Sequence, residues 1–201
     1  MSEHVRFSTP IKNKRPRGAR LIEAFSPKVG RRVRFHSRQA FEVWLGAEAD
    51  PAVLSFCERP AVMTVDECER TLDMWVRYAD REAFLLLADD DAKLSGDWLS
   101  TPVRRITAAD LAATRVWTSN WERMLPTINL TRDSVSKHHL AEVRRYVKEP
   151  MPLARIEREF VTSDPMWVRG ALFRLLATGS LIAPSLRTER LSLQTLWEPG
   201  P

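Results

Sequence analysis

The feature that most constrains this chain is a change of hydrophobic period partway along it. From Val53 to Leu87 the apolar residues come in short runs rich in Val, Leu and aromatics, and acidic turns such as Asp89-Asp90-Asp91 punctuate that part of the chain. Runs of this length and composition predict strands, over Val53–Phe56, Arg70–Tyr78 and Ala83–Leu87, forming one small sheet. From Ser134 onward the apolar residues recur at helical spacing, with Val135, Leu140, Val143 and Val147 available to one face. A chain that changes period in this way predicts an α+β protein of two parts.

The boundary is expected at Pro126 and the polar stretch Asn129 to Asp133, dividing the chain into residues 21–125 and 126–201. In the first part, Ser37 is placed to cap a helix over Arg38–Ala49, which presents Phe41, Trp44 and Leu45 at helical spacing and stops at Asp50-Pro51. Residues Leu94 to Pro126 are ambiguous; Thr107 can cap a helix there, and Trp98, Trp117 and Trp121 read as packing anchors. The second part predicts helices over Ser134–Lys148, Leu153–Phe160 and Pro165–Gly179, the last capped by Ser163 or Asp164. Two apolar segments follow, Leu181–Ala183 and Leu191–Leu196. Three helices and then a β-hairpin is the order of a winged helix.

Charge is unevenly spread over the 201 residues, whose net balance is +5. Residues 1–40 hold 11 Lys/Arg against 2 Asp/Glu, residues 41–125 hold 9 against 16, and residues 126–201 hold 11 against 8. The first twenty residues therefore read as an extended basic arm, with Lys12, Lys14, Arg15, Arg17 and Arg20 suited to phosphate. Arg31, Arg32 and Arg34 extend that set, and roughly six to eight such contacts would give a marked salt dependence. In the winged helix, Arg169 and Arg174 on the third helix and Arg187 near the hairpin tip are the candidates for DNA.

The remaining chemistry-bearing residues form no recognisable site. Cys57 and Cys68 lack any zinc-ligand spacing and read as buried small residues, and the adjacent His138 and His139 point about 100° apart on a helix. No apolar run approaches the ~20 residues of a membrane span, and no signal core stands at the N-terminus. A cytoplasmic protein without membrane contact is the expectation.

Three segments carry a family resemblance: residues 25–37 (FSPKVGRRVRFHS), 41–60 (FEVWLGAEADPAVLSFCERP) and 72–76 (LDMWV). In order and spacing they resemble the N-terminal domain of TnsA-type transposon endonucleases, which belong to the PD-(D/E)XK nucleases. The resemblance implies an α/β nuclease-like core and a site built from a helix glutamate, a strand aspartate and a Glu/Gln-x-Lys on the next strand. Carboxylates of this kind hold Mg²⁺ or Mn²⁺ against a scissile phosphate, and the lysine orients water and stabilises developing charge. Glu42 matches the helix glutamate and Asp73 the aspartate, so both are the implied metal ligands.

The third element departs from the pattern. Residues 83–89 read Ala-Phe-Leu-Leu-Leu-Ala-Asp, with Leu85, Leu87 and Asp89 where the family needs Glu and Lys. Asp89 and Lys93 are the residues that could serve as displaced replacements. What the resemblance implies is a subunit of a heteromeric transposase with its cutting activity reduced or lost, partnered by DNA, a DDE-type transposase subunit and an AAA+ ATPase regulator. An active endonuclease with relocated residues and a winged-helix DNA-binding regulator are the alternatives.

Overall fold

A computed structural model describes residues 7–12, 17–65, 68–88, 94–95, 101–160 and 164–201. Lys14, Arg15, Asp89, Lys93, Trp98 and Ser163, all singled out above, lie outside the described residues. The protein is α+β and divides into two compact units, Met1–Ala113 and Thr114–Pro201.

The first unit opens with an antiparallel hairpin, β1 (Ile22–Ser26) and β2 (Arg31–Phe35), which adds to the expected strands. Alternation is its signal: Val33 and Phe35 are buried while Arg32 and Arg34 are exposed. Gly30 closes the turn at φ 66, a left-handed conformation that favours glycine. Helix α1 (Arg38–Ala49) follows as expected, with the Ser37 hydroxyl accepting from the Ala40 amide at 3.1 Å. Its Phe41 and Trp44 rings pack on Phe35 at 5.9 and 5.4 Å, joining helix to hairpin.

Beyond α1 come β3 (Ser55–Glu58), β4 (Val62–Val65), β5 (Cys68–Thr71), β6 (Met74–Arg77), β7 (Glu82–Leu87), β8 (Leu94–Ser95) and β9 (Val103–Ile106), then the short helix α2 (Ala108–Ala113). Two sheets result, a four-stranded one in the order β3-β6-β7-β9 and a three-stranded one in the order β5-β4-β8. The single strand expected over Arg70–Tyr78 is broken at Leu72-Asp73. Its two halves pair in different sheets, β5 with β4 and β6 with β3, and the amide of Arg59 bonds the Asp73 carbonyl at 3.0 Å across the break. Thr107 caps α2 as expected, its hydroxyl accepting from the Asp110 amide at 3.2 Å.

In the four-stranded sheet Cys57, Trp75 and Phe84 stand directly opposite one another in one row. They form a buried cluster with Met63, Leu72 and Leu86. Phe7 completes it, meeting Trp75 and Phe84 edge-on with centroids 5.6 Å from each. The basic arm is therefore not free over its whole length: Phe7 is seated on the core, and the Ile11 amide bonds the Arg59 carbonyl at 3.0 Å. An aromatic side chain withdrawn from water stabilises such an attachment by about 2 kcal/mol, enough to hold a segment with few other contacts. Cys57 is buried as expected, and burial pushes its thiol up to about 11, whereas Cys68 is exposed on β5 and corrects that expectation.

The second unit begins with α3 (Arg115–Leu130), so Pro126 lies inside a helix rather than at a boundary. A mid-helix proline costs about 3 kcal/mol. Buried Trp121, Met124, Leu125 and Ile128 span the proline on both sides and outweigh that cost. Next come α4 (Lys137–Tyr146), β10 (Met151–Pro152), α5 (Leu153–Glu159), α6 (Pro165–Ala177), β11 (Leu181–Ile182), a 3-10 turn over Pro184–Arg187, and β12 (Leu196–Pro199). Asp164 caps α6 by accepting from the Met166 amide at 2.8 Å, and Pro165 occupies the first turn. β12 is the central strand of a three-stranded sheet, antiparallel to β10 and β11. The last strand thus falls later than the expected Leu191–Leu196, and Trp197 on it stacks against Phe173 of α6 at 5.9 Å.

Candidate nucleic-acid interface

A groove of about 710 Å³ runs along the first unit where the N-terminal segment, the hairpin and the end of β3 meet. Its cationic lining comes from Lys12 on the segment, Arg31, Arg32 and Arg34 on β2, and Arg59 just past β3. Strand alternation places Arg32 and Arg34 on the side of the hairpin opposite the buried Val33 and Phe35. Arg59 reaches the groove because its backbone turns through φ 47, a left-handed conformation rare for a side chain of this size. Its guanidinium donates to the Arg34 carbonyl and thereby ties β3 to the hairpin.

One carboxylate organises this cationic group. Glu58, at the end of β3 and only 2 % exposed, accepts both Arg31 nitrogens, at 2.8 and 2.6 Å. This bidentate pair fixes the Arg31 fork and raises its pKa through the hydrogen bond to Glu58. At the rim Arg34 pairs with exposed Glu23 at 2.6 Å. Arg32 and Lys12 have no counter-charge among the described residues. Arg59 is the least settled: burial foremost, with Arg31 and Arg34 adding to it, holds its pKa below the usual guanidinium range, and its Nε is buried without a hydrogen-bond partner among the described residues. An anion at this place would relieve the repulsion and accept that donor. Arg17 and Arg20 are exposed on the chain entering β1 and are not part of the groove lining.

The residues matched to a cutting site have other partners. Glu42 lies on α1 and pairs with Arg38 one turn earlier at 2.9 Å. Asp73 sits in the bend before β6, not within a strand, and one of its oxygens accepts the Leu87 amide at 2.7 Å. Burial raises its pKa, opposed by the Leu87 hydrogen bond and by Arg70, whose guanidinium donates to the Leu87 carbonyl. Asp73 and Arg70 therefore clamp the two polar groups of one residue at the end of β7. That strand does run beside Asp73, in the register Met74 opposite Leu85, and Leu85 is buried. Among the described residues no group of three or more His, Cys, Asp or Glu is placed to hold a metal ion. Glu42 is engaged with Arg38 and Asp73 with the Leu87 amide, and Leu85 and Leu87 on the strand beside Asp73 offer no oxygen ligand, so these described residues do not fit Mg²⁺ or Mn²⁺.

In the second unit the expected DNA-facing arginines are turned to the unit itself. Arg169 pairs with Glu157 of α5 at 2.5 Å, Arg174 donates to the Val135 carbonyl at 3.0 Å, and Arg187 covers the Trp117 ring at 5.0 Å. Around Arg187 the chain is held to α3 by Asn120, whose amide donates to the Leu186 and Glu189 carbonyls, both at 2.8 Å, and whose carbonyl accepts the Leu191 amide at 2.9 Å. A fully bonded buried amide of this kind fixes a loop.

Sequence reasoning overlooked two sets of residues here. Glu58 and Arg59 are one set: an acid and a base beside Pro60 at a strand end mark a chain reversal with charge to settle. The exposed cations of α4 were also passed over, their signal being Lys137, Arg144 and Arg145 on one amphipathic helix. No helix of the described residues is long and apolar enough to cross a membrane. Compared with known protein families and with curated proteins, the chain matches none.

Proposed function

We propose that this protein is a TnsA-like subunit of a heteromeric transposase that grips the DNA backbone without cutting it, working beside a DDE-type transposase subunit and an AAA+ ATPase regulator. The observation that carries the reading is the groove of the first unit, where Lys12, Arg31, Arg32, Arg34 and Arg59 converge around the single buried carboxylate of Glu58. Such a surface neutralises phosphates, and no Phe, Tyr or Trp lines it among the described residues. The His36 imidazole is the one aromatic ring among its described lining residues, set against five Lys and Arg side chains, so phosphate contact outweighs base stacking and duplex backbone is the ligand it fits. Support for a nuclease-like core comes from the four-stranded sheet, with Asp73 beside β7 and α1 after the hairpin. Leucines where a ligand and a lysine are needed support loss of the chemistry. The helix–strand–helix–helix–strand–strand order that follows α3 in the second unit supports a winged helix.

Fluorescence anisotropy with a labelled duplex of about 25 bp over a range of salt tests this reading. The expected result is a steep fall of affinity with salt, which the Lys12→Glu/Arg32→Glu double variant flattens while weakening binding. Supercoiled plasmid with Mg²⁺ or Mn²⁺ should remain uncut. Nicking that disappears in Asp73→Asn would overturn the inactive reading in favour of a relocated endonuclease. The regulator reading draws less support, because Arg169, Arg174 and Arg187 are each engaged within the second unit.

A further inference from the structure

A second groove, of about 590 Å³, lies wholly within the second unit. Leu140 and Ala141 of α4 and Leu175 of α6 form its apolar floor, and Lys137, Arg144 and Arg145 stand along its rim. No carboxylate lines it among the described residues. The acid of α4, Glu142, is occupied with His138 at 3.2 Å. Lys137, Arg144 and Arg145 are exposed and have no ion-pair or hydrogen-bond partner among the described residues.

Spacing gives the groove a definite reading frame. Residues 137, 140, 141 and 144 form one face of a helix, and the cations at its two ends are about 10 Å apart along the axis. DNA fits this poorly, since a phosphate backbone would leave the leucine floor unfilled. A protein helix with carboxylates about two turns apart and an aliphatic side chain between them fits both halves of the surface.

We propose that this groove docks an acidic amphipathic helix from a partner protein, its carboxylates meeting Lys137, Arg144 and Arg145 and its aliphatic residue resting on Leu140 and Leu175. The groove belongs to the second unit alone, so the inference does not depend on the nuclease-like reading or on the groove of the first unit.

The test uses the full chain and a fluorescent peptide of about 16 residues, ~24 Å as a helix, with Glu at i and i+7 and Leu at i+3 and i+4. Two control peptides replace either both Glu by Gln or both Leu by Ser. Each control is expected to bind at least about tenfold more weakly than the parent. Charge reversal at exposed positions, Arg144→Glu/Arg145→Glu, and the groove-filling Ala141→Glu should each weaken the parent peptide by a similar factor, with the thermal midpoint confirming an intact fold. Equal binding of the Gln control would overturn the proposal. So would loss of duplex affinity in the charge-reversed protein with no peptide binding in the parent, which would make this a DNA surface. A concentration-dependent dimer abolished by the same substitutions would assign the groove to a second copy and overturn it equally. Because Lys12 and Arg32 are untouched, failure here leaves the first groove's salt-dependent duplex binding as a separate result.

Discussion

In the first unit Lys12 and Arg32 line a groove and neither is paired with a carboxylate among the described residues, whereas in the second Arg169, Arg174 and Arg187 each end on a carboxylate, a carbonyl or an indole ring of the same unit. The same residue type thus serves two purposes. On a two-stranded hairpin, alternation forces every second side chain outward, where Arg34 meets Glu23 of the neighbouring strand and Arg32 has only solvent or a ligand to meet. On a helix packed on several sides a long arginine can fold back along the surface and satisfy carbonyls left at the ends of neighbouring helices, as Arg174 does beyond the end of α3. An arginine's availability for phosphate is decided by its neighbours more than by its abundance.

The contrast can be broken most directly by charge reversal. Lys12→Glu/Arg32→Glu should lower duplex affinity by about a hundredfold at low salt and flatten the salt slope by about 2, while Arg169→Ala and Arg174→Ala change affinity by less than about threefold. Anisotropy titrations at several salt concentrations decide it, and equal losses in both units would erase the distinction. Next in size, Glu58→Ala leaves Arg31 without its buried partner and should destabilise the first unit by about 3 kcal/mol, read from urea unfolding. The same change frees a cation in the groove, so DNA binding should survive wherever the unit stays folded.

In the second unit Asn120→Ala removes three hydrogen bonds to the segment around Arg187 and should cost about 2 kcal/mol, with faster amide exchange over 186–191. Unchanged exchange there would show that the Arg187 contact with Trp117 alone holds the segment. Arg169→Ala should cost less than about 1 kcal/mol, since its pair with Glu157 is partly exposed. A pH dependence accompanies these effects in the first unit. Lys28, whose ammonium donates to the Ala47 and Asp50 carbonyls at the end of α1, has its pKa lowered by burial from 10.5 to about 8. Between those values the unfolded chain binds more protons than the folded one, so this residue makes stability rise with pH across the window and fall as pH drops through 8. Denaturant midpoints at pH 8 and 10 should differ less in Lys28→Met than in the parent.

Some of this architecture was legible because its cause is local. Ser37 with Asp50-Pro51 bounded α1, Asp164-Pro165 opened α6, and Thr107 capped α2, each through a side chain and an amide two or three residues apart. The break at Leu72-Asp73 had no comparable signal. Arg70 to Tyr78 is uniformly strand-forming in composition, and only pairing with two different partners divides it. The hairpin β1–β2 was visible in principle in the alternation of residues 31–35, but the density of arginine there reads first as a charge run.

The candidate site shows the same divide. The sequence alone determined that positive charge concentrates in the first forty residues and that residues 83–88 carry no charged side chain. Which cations converge was settled by tertiary structure: the turn at Arg59, the fork held by Glu58 and the seating of Phe7 between Trp75 and Phe84 bring residues 7–12, 31–34 and 58–59 together. Caps, stops and alternation act over a few residues and are written in the chain locally. The partners of an arginine or a buried carboxylate are set by packing between distant segments, and only the folded molecule brings those segments within reach.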